Sequence, residues 1–198
     1  PQSTSASGIF GVITVASGNN FVFKVLMASS LINLAPLVAT MTGSITIFFA
    51  LYSIGSSMET TLSDGDQLIV DKISYQFREP ERFEIIVFPY QYEAGTYYIK
   101  RIIGLPGENV RIDEDGFIYI NGENLQESYG KEVMLDPGLA KDGIQLGADE
   151  YFVLGDNRND SMDSRMAEVG PIVGERIIGR AWLRIYPFDQ IGFLKHGS

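Results

Sequence analysis

The hydrophobic pattern of the chain changes abruptly near residue 56. No residue from Val25 to Met58 is charged, and Leu31–Ser53 is predominantly apolar. About 20 apolar residues suffice for a helix to cross a bilayer core, where a charge would be costly. The pattern predicts a transmembrane anchor at 25–53 after a polar tail at 1–24. A buried pair of core strands is the alternative, and a cleaved signal peptide fits less well because no spacer follows the apolar run.

Beyond residue 62 the pattern is that of short β-strands. Alternating or compact apolar runs predict strands at 67–73, 84–88, 97–103, 109–113, 117–120, 151–154 and 177–186. Asp115-Gly116 and Asn121-Gly122 are hairpin and turn signals between them. Because no long helical period appears, we expect a mainly β, barrel-like (pseudo-barrel) domain at 54–198 behind one N-terminal transmembrane helix. Residues 123–148 lack a clear pattern and are predicted to be a variable surface insertion.

Charge and composition narrow the chemistry. The net charge is −10, and all 25 acidic residues follow residue 56, which argues against a nucleic-acid partner. The chain has no cysteine, so disulfides, thiolate metal sites and cysteine nucleophiles are excluded. Its one histidine, His196, lies in a polar C-terminal tail, a poor position for a Ser–His–Asp triad, and is too few for a histidine metal site. We expect no metal and no cofactor.

The hydrolytic options that remain are a carboxylate pair and a hydroxyl activated by lysine. Lys100 lies in the apolar run Tyr97–Ile103, where alternation places Tyr98, Lys100 and Ile102 on one face. If that face is buried, desolvation lowers the pKa of the lysine, and its neutral amine can accept a proton. The alternative is a solvated strand lysine with a buried stem.

Three segments, in order, resemble the bacterial type I signal peptidases. Ser57–Leu62 reads Ser-Met-Glu-Thr-Thr-Leu, against the family's Ser-Met-x-Pro-Thr-Leu. Tyr98–Gly107 matches Tyr-x-Lys-Arg-x-x-Gly-x-Pro-Gly, and Gly155–Arg165 matches Gly-Asp-Asn-Arg-x-x-Ser-x-Asp-Ser-Arg. Three ordered matches are far more specific than one, and they extend over residues 54–187.

The resemblance implies a role for each matching residue. Ser57 corresponds to the nucleophile, Lys100 to the general base, and Ser161 to the residue that orients the lysine amine. The residues implied in structural ion pairs are Arg101, Asp156, Asp163 and Arg165. The residues implied in small substrate pockets are Met58, Leu62, Tyr98 and Ile99. The chain departs from the family pattern at Thr60, which replaces the motif proline, at Phe83-Glu84, which replace Gly-Asp, and at Gly55, where some members carry a serine for the oxyanion hole.

By the same resemblance, we expect a serine endopeptidase that removes N-terminal signal peptides from exported preproteins at Ala-x-Ala-like sites. Its partners would be those signal peptides and the lipid bilayer. It would be a single-pass protein of the plasma membrane, with its catalytic domain on the extracytoplasmic side. The alternatives are a non-catalytic chaperone for surface-fibre assembly, which has no need of both Ser57 and Lys100, and a self-cleaving repressor, which needs a DNA-binding domain ahead of the dyad.

Overall fold

The computed structural model describes residues 11–13, 48–53 and 55–196. They form two antiparallel sheets, which confirms the prediction of a mainly β protein. The strands are β1 Gly11–Ile13, β2 Phe48–Tyr52, β3 Gln67–Asp71, β4 Ile85–Pro89, β5 Tyr97–Gly104, β6 Asn109–Ile112, β7 Ile118–Ile120, β8 Glu123–Asn124, β9 Ile144–Gln145, β10 Glu150–Leu154, β11 Ile172–Val173, β12 Gly179–Tyr186 and β13 Gly192–Phe193. The helices in this part of the chain are single 3₁₀ turns at Ser74–Gln76, Gly138–Ala140, Gly174–Arg176 and Phe188–Gln190.

The larger sheet has the strand order β1-β2-β3-β12-β4-β5-β10-β11, with β13 added to β12. Strands β4, β5 and β10 carry consecutive buried residues rather than a simple alternation, because both of their faces are covered. Tyr98 and Ile102 pack in one hydrophobic cluster, while Ile99 and Ile103 belong to two others. The predicted strand at residues 97–103 therefore runs through the centre of the protein. The strand order ends at β1 and β11, so among the described strands we do not see the closure that a barrel would have.

Most of the predicted anchor at 25–53 lies outside the described residues, and so does most of the tail at 1–24. The described end of the anchor differs from the prediction, because Phe48–Tyr52 is a β-strand whose register pairs Ala50 with Ile69 of β3. Its aromatic and apolar residues suit a strand as well as a membrane helix, and the edge of β3 provides backbone partners. In the parts of the chain that can be described, we find no helix with the length and apolar character needed to span a bilayer.

The second sheet has the order β8-β7-β6-β9 and includes two short pieces of the segment 123–148, β8 and β9. Residues Ile144–Gln145 pair with β6, and Met134, Ala140 and Leu146 are buried in the cluster beneath this sheet. The segment therefore contributes buried residues to the core, while its description as a variable insertion stays a prediction. It lacks a readable pattern because its buried residues are widely spaced along irregular backbone.

Candidate active site

Lys100 lies in the buried part of β5, directly opposite Ile86 of β4. The side chain is only 3% exposed, and its Nζ lies 2.8 Å from Ser57 Oγ and 3.0 Å from the carbonyl oxygen of Ile99. The ring centroid of Tyr98 is 5.1 Å from the same Nζ. The structure thus brings together the two residues that the sequence predicted as base and nucleophile.

Burial lowers the pKa of Lys100 from 10.5 to about 8, against the opposing pull of the negative charges of Asp163 and Asp156. Removing an ammonium from water disfavours its charged form, and within the described residues Lys100 has no carboxylate in ion-pair contact to offset this. A pKa near 8 leaves an appreciable fraction of neutral amine near neutral pH. This amine can accept the hydroxyl proton of Ser57 over a normal hydrogen-bond distance.

Ser57 lies in the turn that follows β2 and is held from two sides. Met58 and Leu62 are 3% and 0% exposed and anchor the turn in the core, where the Leu62 N–H donates to the Met58 carbonyl. On the other side, the Asn157 backbone N–H donates to the Ser57 carbonyl at 3.1 Å. A Cβ at Gly155 would lie 2.4 Å from that carbonyl oxygen, so glycine is needed for the close approach.

The four residues predicted to form ion pairs fall into two separate buried pairs. Arg101 binds Asp156 through two hydrogen bonds, from Nε at 2.8 Å and from Nη2 at 2.6 Å. Arg165 binds Asp163 in the same way, at 2.8 and 2.9 Å. All four side chains are at most 1% exposed. Paired carboxylates and guanidinium groups in this two-point geometry hold their backbones firmly, and both pairs include the loop after β10.

The residues predicted to line substrate pockets surround the same place. Met58, Leu62 and Ile99 belong to one core cluster. Tyr98 is partly exposed and donates from its hydroxyl to Met162 Sδ at 3.3 Å. Strand β10 pairs with β5 only from Arg101 to Gly104, so on this side no described strand covers Tyr97–Lys100.

Ser161 lies beside this centre without a hydrogen bond to Lys100. Its Oγ is buried and has no hydrogen-bond partner among the described residues, and it would be 2.2 Å from a Cβ on Gly155. The lysine amine instead contacts Ser57 and the Ile99 carbonyl. The orienting role of Ser161 therefore stays a prediction.

Sequence reasoning missed several residues that contact the segments around Ser57 and Lys100. The ring centroid of Tyr129 lies 3.7 Å from the Arg101 guanidinium, and Thr61 donates to Asp156 at 2.5 Å. Lys131 pairs with Glu59 at 2.8 Å. Tyr129 and Lys131 lie in the segment without a pattern, where no periodicity could have drawn attention to them.

One group of side chains has metal-binding potential, formed by Glu81, Glu84 and His196. The carboxylate of Glu84 is already matched by Arg78 at 2.5 Å and Arg180 at 3.1 Å. Two guanidinium groups on one carboxylate oppose a further cation, so this donor set does not fit a metal.

A β-sheet domain that places a buried lysine amine against a serine hydroxyl has the features of a serine peptidase. Residues 27–186 match the family described as signal peptidase, peptidase S26. The chain is 43% identical over 150 residues to a probable signal peptidase I-2 of Synechocystis sp., which covers 73% of this chain and 66% of that protein. It is 41% identical over 153 residues to a signal peptidase I of Leptolyngbya laminosa, covering 73% and 72% of the two chains.

Among solved structures, a signal peptidase I from Enterococcus faecalis V583 aligns with 35% sequence identity and a TM-score of 0.44, covering 52% of this chain and 97% of that one. The family match and the two relatives, taken with the contact between Ser57 and Lys100, define the class of protein as a serine peptidase. More specifically, the chain belongs to the signal peptidase family, peptidase S26.

Proposed function

We propose that this protein is a serine endopeptidase that removes N-terminal signal peptides from exported preproteins with a dyad of Ser57 and Lys100. The observation that carries the proposal is the 2.8 Å contact between Ser57 Oγ and the Nζ of a lysine that is 3% exposed. The names of the relatives, signal peptidase I, support the substrate class. A membrane anchor and an extracytoplasmic catalytic domain belong to the same proposal, on the basis of the uncharged run at 25–58.

In the proposed reaction, the neutral Lys100 amine accepts the proton of Ser57 Oγ as that oxygen attacks the carbonyl carbon before the cleaved bond. The tetrahedral intermediate collapses when the Lys100 ammonium donates this proton to the leaving amine, and an ester to Ser57 remains. Lys100 then takes a proton from water, whose oxygen attacks the ester. Release of the carboxylic acid returns the proton to Ser57.

We propose that the substrate lies extended along the uncovered edge of β5 at Tyr97–Lys100. An extended peptide can add to such an edge through backbone hydrogen bonds, while alternate side chains enter pockets. Tight packing of Met58, Leu62 and Ile99 beside the dyad would leave room only for small side chains. This supports cleavage at Ala-x-Ala-like sites, with Tyr98 as a further wall.

The test uses the full chain in detergent and a preprotein with an Ala-x-Ala site. We expect Ser57→Ala and Lys100→Ala each to abolish cleavage, with the new N-terminus identified by mass spectrometry in the wild type. Ser63→Ala and Lys141→Ala are matched controls, because both residues are exposed and neither contacts the dyad. Cleavage retained by either dyad variant would contradict the proposed function.

A further inference from the structure

Three alternate residues of the segment after β8 each contact a different part of the candidate active site. We call Glu127, Tyr129 and Lys131 the brace. Glu127 pairs with Arg158 of the loop after β10 at 2.9 Å, and the Tyr129 ring centroid lies 3.7 Å from the guanidinium of Arg101. Lys131 Nζ lies 2.8 Å from Glu59 Oε2, two residues beyond Ser57.

Tyr129 is connected to both dyad residues indirectly, through Arg101. This arginine directly follows Lys100 in β5 and is 1% exposed. Its Nη1 donates to the Phe83 carbonyl at 2.8 Å, and its Nη2 donates to Thr61 Oγ1, on the nucleophile segment, at 3.1 Å. With the edges of the guanidinium bound in this way, the Tyr129 ring covers one of its flat faces, where an aromatic ring attracts a cation.

Glu127 and the backbone of Lys131 hold the loop that supports Ser57. The Arg158–Glu127 pair is almost fully buried, at 3% and 11% exposed, and Arg158 Nε donates to the Gly155 carbonyl at 3.0 Å. The Lys131 N–H donates to the Asp156 carbonyl at 2.8 Å. The next residue of the loop, Asn157, donates to the Ser57 carbonyl. Both contacts of the brace therefore lie within one residue of the groups that hold Ser57.

We propose that the brace is a positioning element that sets the distance between Ser57 and Lys100, with Tyr129 as its principal positioning residue. The inference rests on the proposed function. No brace side chain contacts Ser57 or Lys100 among the contacts of the described residues, so the brace acts through Arg101, the loop after β10 and Glu59. A misplacement of about 1 Å at a reacting group can lower a rate on the order of 100-fold. Loss of the brace should therefore lower kcat more than it changes KM.

The test compares Tyr129→Ala, Tyr129→Leu and Tyr129→Phe in the full chain, assayed for kcat and KM on the Ala-x-Ala preprotein. We expect the Ala and Leu variants to lose about 10- to 100-fold in kcat with a nearly unchanged KM. Phe keeps the ring face and should restore kcat to the wild-type value. Lys141→Ala is the matched control, because Lys141 pairs with Glu114 in the same region of the chain at a highly exposed site.

Melting temperatures measured in parallel separate positioning from folding. Wild-type kcat in Tyr129→Ala, or an equal loss of kcat in Tyr129→Ala and Tyr129→Phe, would overturn the inference. A raised KM with unchanged kcat would also overturn it, since that result would place Tyr129 in substrate binding. If Ser57→Ala and Lys100→Ala abolish cleavage in the same assay, such results refute the brace alone and leave the proposed function standing.

Discussion

Two buried ionisable residues that lie close to each other, Lys100 in β5 and Glu84 just before β4, have opposite electrostatic surroundings. Glu84 immediately precedes β4 and is fully buried, and its carbonyl accepts a hydrogen bond from Ile102 of β5. Arg78 and Arg180 pair with its carboxylate, and the Tyr75 hydroxyl donates to it at 3.0 Å. Lys100 is almost as deeply buried, yet among the described residues its amine has hydrogen-bond contacts only with the Ser57 hydroxyl and the Ile99 carbonyl.

Both pKa values are lowered, but the shift favours the charged form of Glu84 and the neutral form of Lys100. Burial acts to raise the pKa of Glu84, but the hydrogen bond from Arg78 and the other donors together hold it below the usual value, so the carboxylate stays charged. Burial lowers the pKa of Lys100 to about 8, because the distant charges of Asp163 and Asp156 only partly compensate. The Glu84 carboxylate, whose charge is balanced by arginine partners, therefore has a structural role. The Lys100 amine has no such partner among the described residues and loses its proton more readily.

Replacing Lys100 with a cation that cannot lose its proton should have the largest effect. In Lys100→Arg the guanidinium stays protonated even when buried, so it cannot act as a base. We expect the rate of preprotein cleavage to fall on the order of 10³-fold, the scale of general-base catalysis. Lys141→Arg is the control for the same substitution at an exposed ion pair, with Glu114. A Lys100→Arg enzyme that cuts at the wild-type rate would show that proton acceptance by residue 100 is not needed.

Removing the compensated charge should affect stability rather than chemistry. Glu84→Ala leaves Arg180 and the partly exposed Arg78 without their shared partner, and breaking a buried ion pair of this kind costs about 3 kcal/mol in the free energy of unfolding. Urea denaturation measures the loss, and Glu81→Ala is the control, because its side chain is 61% exposed. We expect kcat of the folded fraction to be unchanged. If Glu84→Ala loses no more stability than Glu81→Ala, then the ion pairs of Glu84 do not stabilise the fold as expected.

The sequence carried much of this information about Lys100 and little about Glu84. Lys100 lies in a largely apolar strand, where the period-2 pattern left a buried and a solvated lysine both open, and the resemblance of the three motif segments then indicated its role and its partner Ser57. Glu84 is the first residue of a predicted strand, and nothing in the local pattern pointed to its partners. These partners, Arg78 and Arg180, are 6 and 96 residues away. Contacts across such separations depend on the tertiary fold and leave no local pattern.

The same limit explains the other differences between sequence and structure. Tyr129 lies between β8 and β9, and its contact with Arg101 of β5 joins residues that are far apart in the sequence. Phe48–Tyr52 could be read as part of an apolar helix until pairing with β3 supplied backbone partners. Local patterns thus predicted the strands of the body, whereas long-range pairing determined what supports the dyad.

The pH dependence of the free energy of unfolding should reveal the lowered pKa of the Lys100 amine. In the unfolded chain Lys100 keeps its proton up to about pH 10.5, whereas in the folded protein it releases the proton at about pH 8. Unfolding between these values takes up a proton, so stability contributed by this residue rises with pH across the interval. Relative to Lys100→Met, which has nothing to titrate, the wild type should gain about 2 kcal/mol of unfolding free energy by pH 9.5. A difference between the two proteins that is the same at pH 7 and pH 9.5 would mean that the buried amine does not titrate as inferred.

The smallest expected effect is the pH dependence of the reaction itself. With a pKa of about 8, the neutral fraction of Lys100 rises from roughly one tenth at pH 7 to roughly nine tenths at pH 9, so kcat should rise about tenfold and then level off. The measurement needs a substrate without titrating groups near the cleaved bond, and circular dichroism at each pH to show that the protein stays folded. Glu84→Gln should give the same profile at a lower melting temperature, because the Glu84 carboxylate binds Arg78 and Arg180 and has no contact with the Lys100 amine. If Glu84→Gln moves the midpoint of the profile, then the two sites are electrostatically coupled and the comparison between them fails. If the profile is flat between pH 6 and pH 9, then the low pKa of Lys100 cannot be the property that makes Ser57 reactive.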